Sequence, residues 1–71
     1  MAREGDYILI TDMEDERYLQ IGEIIEVEFY EHCNDVKNYV VRFSDKQIIR
    51  YDYRLVYDYK CRTLMFERPW N

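Results

Sequence analysis

The chain has 71 residues, 48% apolar and 35% charged, with a net charge of −5; this suits one small domain with enough apolar residues for a core, and it argues against disorder. No apolar run approaches the roughly 20 residues that cross a bilayer as a helix. The opening Met-Ala-Arg-Glu-Gly-Asp lacks the apolar stretch of a secretion signal, so a soluble, cytoplasmic protein with Cys33 and Cys61 reduced is expected. Aromatic residues make up 17% and alanine occurs only at Ala2, which favours sheet over a helix bundle.

Residues Asp6 to Thr11 follow Gly5 and are dense in strand formers, so they are read as the first strand. Asp12 to Arg17 has no periodic apolar face and reads as an exposed acidic loop, with Tyr18, Leu19 and Ile21 anchoring its return. After Gly22, the residues Ile25, Val27 and Phe29 alternate with Glu26, Glu28 and Tyr30. A period of two predicts a strand with Ile25, Val27 and Phe29 in the core and an acidic face in water. His32 to Asn38 is a turn, because Asn and Asp bond their own backbone. Tyr39 to Phe43 returns as a third strand with Tyr39, Val41 and Phe43 on one face. Ser44-Asp45-Lys46 is a tight turn without the usual glycine. Gln47 to Tyr51 is a fourth strand, Asp52-Tyr53-Arg54 a short helical turn, and Leu55 to Tyr59 a fifth strand. The remaining residues, from about 60 to Asn71, include Leu64, Met65, Phe66 and Trp70 and are too apolar for a free tail, so they should pack against the rest. Short strands joined by short turns predict an antiparallel meander closed into a small barrel.

Three segments carry a resemblance: Gly5-Asp6-Tyr7-Ile8-Leu9-Ile10, Gly22-Glu23-Ile24-Ile25, and Tyr39-Val40-Val41-Arg42-Phe43-Ser44-Asp45. In their order, residues 5 to 59 resemble the five-stranded SH3-like barrels of the KOW and Tudor type. The resemblance implies fold far more than function. The whole chain is also similar to a small Bacillus prophage protein, which implies a phage-borne accessory role and supplies no activity.

Charge is unevenly spread. Residues 1–35 hold eleven acids and two bases, whereas residues 36–71 hold four acids and eight bases. The leading expectation is a non-catalytic module that binds another protein through acidic residues: Asp12, Glu14, Asp15 and Glu16 in the first loop, and Glu26 and Glu28 on the second strand. The competing expectation is an RNA- or DNA-binding barrel, in which Arg50, Tyr51, Tyr53, Arg54, Lys60 and Arg62 interleave stacking rings with phosphate-binding cations. The bland alternatives are a solvated acidic face and a tyrosine-rich strand whose hydroxyls reach water.

Other chemistries find little here. By the Tudor resemblance, Tyr18 and Phe43 match two positions of an aromatic cage, but Asp12 or Met13 holds the cage position in the first loop. The acidic run lacks the glycine and the final glutamate of a calcium loop. Cys33 and Cys61 match no zinc spacing, and His32 adds one ligand at most. A cysteine nucleophile would need a base, and His32 beside Cys33 would point away from it on a strand. With only Gly5 and Gly22, there is no phosphate-binding loop. No catalytic residue, metal or cofactor is therefore expected.

Overall fold

A computed structural model describes residues 2–54 and 61–64 of the chain. Its strands are β1 (Tyr7–Ile10), β2 (Ile21–Phe29), β3 (Val36–Arg42), β4 (Ile48–Asp52) and β5 (Cys61–Leu64). They form one five-stranded sheet in the order β4-β3-β2-β1-β5, with every neighbouring pair antiparallel. Among the described residues no ladder joins β4 to β5, so the sheet is open. Tyr53 and Arg54 take a helical conformation as the chain leaves β4, where the sequence places a helical turn. The strand expected over Leu55 to Tyr59 lies outside the described residues.

In β1, Ile8 and Ile10 are fully buried, while Tyr7 and Leu9 on the other face are half-buried. The backbone of Gly5 turns through φ +92°, a conformation that glycine adopts without strain, and its amide donates to Ile24 O at 2.8 Å. Ile24 N in turn donates to Asp6 O at 2.8 Å, so the start of β1 is tied to the middle of β2.

β2 corrects the expected inward face. Ile24 is fully buried opposite Val41, but the next paired residue is Glu26, opposite Val40. Ile25 is the extra residue of a β-bulge, and a bulge exchanges the two faces of everything beyond it. Gly22 and Ile24 point inward before the bulge and Val27 after it. A second register shift, between Glu28 and Phe29, pairs Phe29 with Val36 and leaves Phe29 54% exposed. Of Ile25, Val27 and Phe29, only Val27 packs on the core.

Gly22 is required by close approach. A Cβ there would run into Val41 Cγ1 and press against the ring of Phe43, so β2 and β3 sit together over a position with no side chain.

β3 follows the expected face, with Tyr39, Val41 and Phe43 all buried. It starts earlier than expected, at Val36, because Tyr30 N donates to Asp35 O and closes the hairpin loop there. The β3–β4 turn has no glycine, and Lys46 takes φ 69° in its place. That turn is closed by Lys46 N to Phe43 O at 2.9 Å and Phe43 N to Gln47 O at 3.0 Å.

The segment expected to lie on the barrel begins instead as a strand. Cys61 pairs with Ile10 and Thr63 with Ile8. Cys61 is 3% exposed and joins Ile8, Ile10, Ile24, Val36, Tyr39, Val41, Phe43 and Tyr51 in one buried cluster. That cluster contains residues of both edge strands, β4 and β5, so the sheet curls around it.

Truncating Ile24 to alanine should cost about 2–5 kcal/mol, as for a fully buried isoleucine, while Phe29→Ala should cost at most about 1 kcal/mol, because half of the ring is already in water. Urea denaturation of the two variants decides the matter; an equal loss in both would show that the faces of β2 are misassigned.

Candidate functional site

Residues 11–20 connect β1 to β2 and carry four acids and one base. The expected exposed loop is in fact a built structure. Asp12 O accepts from Asp15 N at 3.1 Å, Asp15 O from Tyr18 N at 3.0 Å, and Arg17 O from Gln20 N at 2.8 Å, giving three successive tight turns. Two side chains reinforce them: Asp12 Oδ1 accepts from Glu14 N at 3.0 Å and Asp15 Oδ1 from Arg17 N at 2.8 Å. Both are Asx-type contacts, which aspartate makes because its short carboxylate reaches the backbone two residues on. At the base, Leu19 N donates to Ile10 O at 2.7 Å and Ile10 N to Gln20 O at 3.0 Å.

Arg17 carries the loop onto the sheet. Its Nη2 lies 2.9 Å from Asp45 Oδ2 and donates to Gln47 Oε1 at 2.6 Å, both in the β3–β4 connection, and its Nη1 donates to Gln20 Oε1 at 3.0 Å. The guanidinium carbon sits 4.6 Å from the centre of the Phe43 ring. Only 12% of the Arg17 side chain is exposed. A planar guanidinium suits this place because it can stack on a ring and still present its edge donors to several acceptors. The hydrogen bond from Arg17 holds the Asp45 carboxyl below the ordinary carboxylate range, and Gln47 N reinforces it. Asp45 in turn raises Arg17.

The Asp15 carboxylate also acts on Tyr51: burial, with the nearby charge of Asp15, pushes the Tyr51 phenol up to about 12. Burial, with Asp15 and Asp12 behind it, pushes the Cys61 thiol up to about 11. Two of the four expected loop acids, Asp12 and Asp15, therefore bond the loop's own backbone, whereas Glu14 and Glu16 are exposed. The loop and its junction with β2 also carry exposed apolar side chains: Met13 is 78% and Leu19 60% exposed, with Tyr18 and Ile21 close to half exposed. Leu19 holds a left-handed backbone, φ 63°, which bulky residues rarely adopt. Tyr18, Leu19 and Ile21, the expected anchors of the loop's return, are all exposed, and it is the Leu19 backbone, through Ile10 O, that holds the base.

On the outer face of the sheet the second-strand acids are largely answered by the basic half of the chain. Glu23 Oε1 accepts from Arg42 Nη2 at 3.0 Å. Glu28 Oε1 accepts from Arg50 Nε at 3.0 Å and from Asn38 Nδ2 at 3.3 Å. Glu28 thus points toward a partner and not freely into water, while Glu26, opposite Val40, is exposed.

The same contacts dispose of much of the basic set. Arg50 sits on Glu28, and Arg54 lies over Asp52 with Nε and Nη2 at 3.2 and 3.3 Å from its two oxygens. Asp52 is held below the usual carboxylate range by that bond. Tyr51 is buried, so its ring cannot stack a base. Tyr53 is exposed beside Arg54, and Arg62 is exposed on β5, the opposite edge of the sheet from Arg50 on β4. Lys60 lies outside the described residues. The matched cage positions do not form a cage either, since Phe43 is buried, edge-on to Tyr51 at 6.2 Å, and its face is covered by Arg17.

No group of three or more metal-ligating side chains occurs among the described residues, and none of their helices is long and apolar enough to cross a membrane. No protein-family model, curated protein or solved structure matches the chain.

Arg17→Met should leave the sheet folded but loosen residues 11–20. Their amides should exchange faster, and the Asp45 carboxyl should return toward the ordinary range. Arg17→Lys should restore only part, because an ammonium lacks the fork. Unchanged exchange in Arg17→Met would show that the loop holds itself.

The raised groups also set an alkaline limit. A thiol or phenol whose folded pKa lies above its unfolded one stabilises the fold fully below the unfolded value, and that stability disappears as pH rises through the folded value. For Cys61 the window runs from 9.0 to about 11 and for Tyr51 from 10.0 to about 12. The urea midpoint should therefore fall above pH 9, and Cys61→Val should flatten the first part of the decline. A midpoint independent of pH between 9 and 11 in the parent would contradict the burial of Cys61.

Proposed function

We propose that this chain is a non-catalytic binding module that docks another protein through its first loop. The observation that carries the reading is a preorganised loop with exposed apolar side chains. Met13 and Leu19 stand in water on a segment that Arg17, Asp15 and three turns already hold in one conformation. Apolar residues presented on a rigid backbone lose little entropy when a partner covers them, which is the economical way to build affinity. Glu14 and Glu16 supply a charged rim, and the only base of the loop is turned inward onto Asp45. The partner surface that fits is apolar at its centre and basic around it.

The strand order and the shared core of β4 and β5 support an SH3-like barrel as the scaffold, with residues 11–20 as its long first loop. A phage-borne accessory role, implied by the resemblance alone, would put the partner among host or phage proteins in the cytoplasm. Against catalysis, the buried Cys61 thiol is kept protonated at neutral pH and so lacks the nucleophilic thiolate. The nucleic-acid reading has less support, because Arg50 and Arg54 already lie on carboxylates.

The variant Met13→Asp with Leu19→Asp should change stability by no more than about 0.5 kcal/mol, since both side chains are exposed and aspartate tolerates the left-handed backbone at Leu19 better than leucine does. In paired pull-downs from host lysate, the protein captured by the parent should be depleted at least about tenfold with the variant, the loss expected from about 1.4 kcal/mol of docking energy. Equal capture by a folded variant would move the binding surface elsewhere.

A further inference from the structure

We propose that a groove beside the β2–β3 loop is a second binding site, one that takes a lysine or arginine side chain presented by a partner protein. The groove has a volume of about 450 Å³ and lies between the loop that follows β2 and the chain leaving β4. It is lined by Tyr30, Asn34, Asp35, Asp52, Tyr53 and Arg54, together with the buried Val36. The loop wall is held in place by Tyr30 N donating to Asp35 O at 3.1 Å and Cys33 N to Tyr30 O at 3.4 Å. The strand wall is held by the pairing of Asp52 with Asn38.

The chemistry of this lining selects a cation. Tyrosine faces attract an ammonium or guanidinium through the ring quadrupole. Asp35 carries no ion pair among the described residues, and Asp52 carries one, from Arg54, whose side chain also reaches the groove. Two carboxylates and one guanidinium leave the lining net negative, so a phosphate would be repelled. Val36 is its one aliphatic side chain, which gives a purely apolar ligand little to bury against. The Arg54–Asp52 pair is largely exposed and screened by water, so an incoming cation can share the Asp52 carboxylate. A protein partner is chosen because the groove is open and shallow, fit for a side chain delivered on a backbone and poor for enclosing a free small molecule. It shares no residue with the first-loop surface.

The test is a titration of the ¹⁵N-labelled chain with blocked tripeptides, Gly-Lys-Gly and Gly-Arg-Gly, against norleucine and glutamate analogues. The cationic peptides should give saturable shifts at Tyr30, Asn34, Asp35 and Tyr53 by about 10 mM, the range expected of a single exposed contact. Norleucine and glutamate peptides should give none at these positions. Asp35→Asn, at an exposed position where folding is not at risk, should weaken binding about threefold or more, as should Tyr53→Leu. The proposal is overturned by absence of saturable shifts with the cationic peptides, by equal shifts with norleucine, or by full retention of binding in Asp35→Asn. A duplex oligonucleotide shifting the same residues more strongly than the peptides would also overturn it in favour of a nucleic-acid ligand.

Discussion

The Arg17 guanidinium lies between the ring of Phe43 and the carboxylate of Asp45, and the arrangement of the acidic half of the chain depends on that placement. Residues 11–20 contain four acids that repel one another and no apolar face of their own to bury. Left to themselves they would be a mobile acidic loop. One cation fixes them, because it reaches the β3–β4 connection with two acceptors and stacks on a core ring at the same time. Asp15 bonds Arg17 N within the loop, and its charge, with burial, holds Tyr51 and Cys61 protonated into the alkaline range. Order in the loop and the outward display of Met13 and Leu19 are thus parts of one arrangement.

The uneven charge of the chain has a similar explanation. The acidic first half and the basic second half meet across the sheet, Glu23 with Arg42 and Glu28 with Arg50. Exposed ion pairs of this kind add little to stability. Register is set by the buried face, because a slip of one residue would turn Tyr39 and Val41 outward. The apparent bipolarity of the sequence is therefore partly consumed within the fold. Exposed charges outside these pairs include, among the described residues, Glu14 and Glu16 on the loop, Glu26 on β2 and Asp35 before β3, and local charge of this kind, more than the net value, sets the field around the molecule.

The groove beside the β2–β3 loop and the first loop share elements of composition. Both offer partly exposed rings or aliphatic groups with carboxylates nearby, and both have their closest arginine engaged by a carboxylate of this chain, Arg54 by Asp52 and Arg17 by Asp45. A small sheet with little concave volume can build specificity in this way, from separate shallow contacts spread over its connections.

Much of the fold was legible in the chain because alternation survives wherever a strand is regular. Ile8 and Ile10, and Tyr39, Val41 and Phe43, face inward as their period of two requires. The inward face of β2 was not legible. Ile24 and Ile25 are adjacent and equally apolar, so nothing local says which is the extra residue of a bulge; the bulge puts Ile24 inward in place of Ile25 while Val27 keeps its expected face, and a second shift turns Phe29 out. Arg17 left a trace, as the only base in an acidic loop, but its partner Asp45 is remote in sequence and pairing at that range is invisible to periodicity. By itself the sequence determined the all-β class, the strand-and-turn order up to β4 and the charge each half carries, since these follow from local propensity and spacing. Only the tertiary structure decided which carboxylates were answered by arginines, that Cys61–Leu64 closes on β1, and that Leu19 faces water while Arg17 does not, because each is a competition among contacts between segments far apart in the chain.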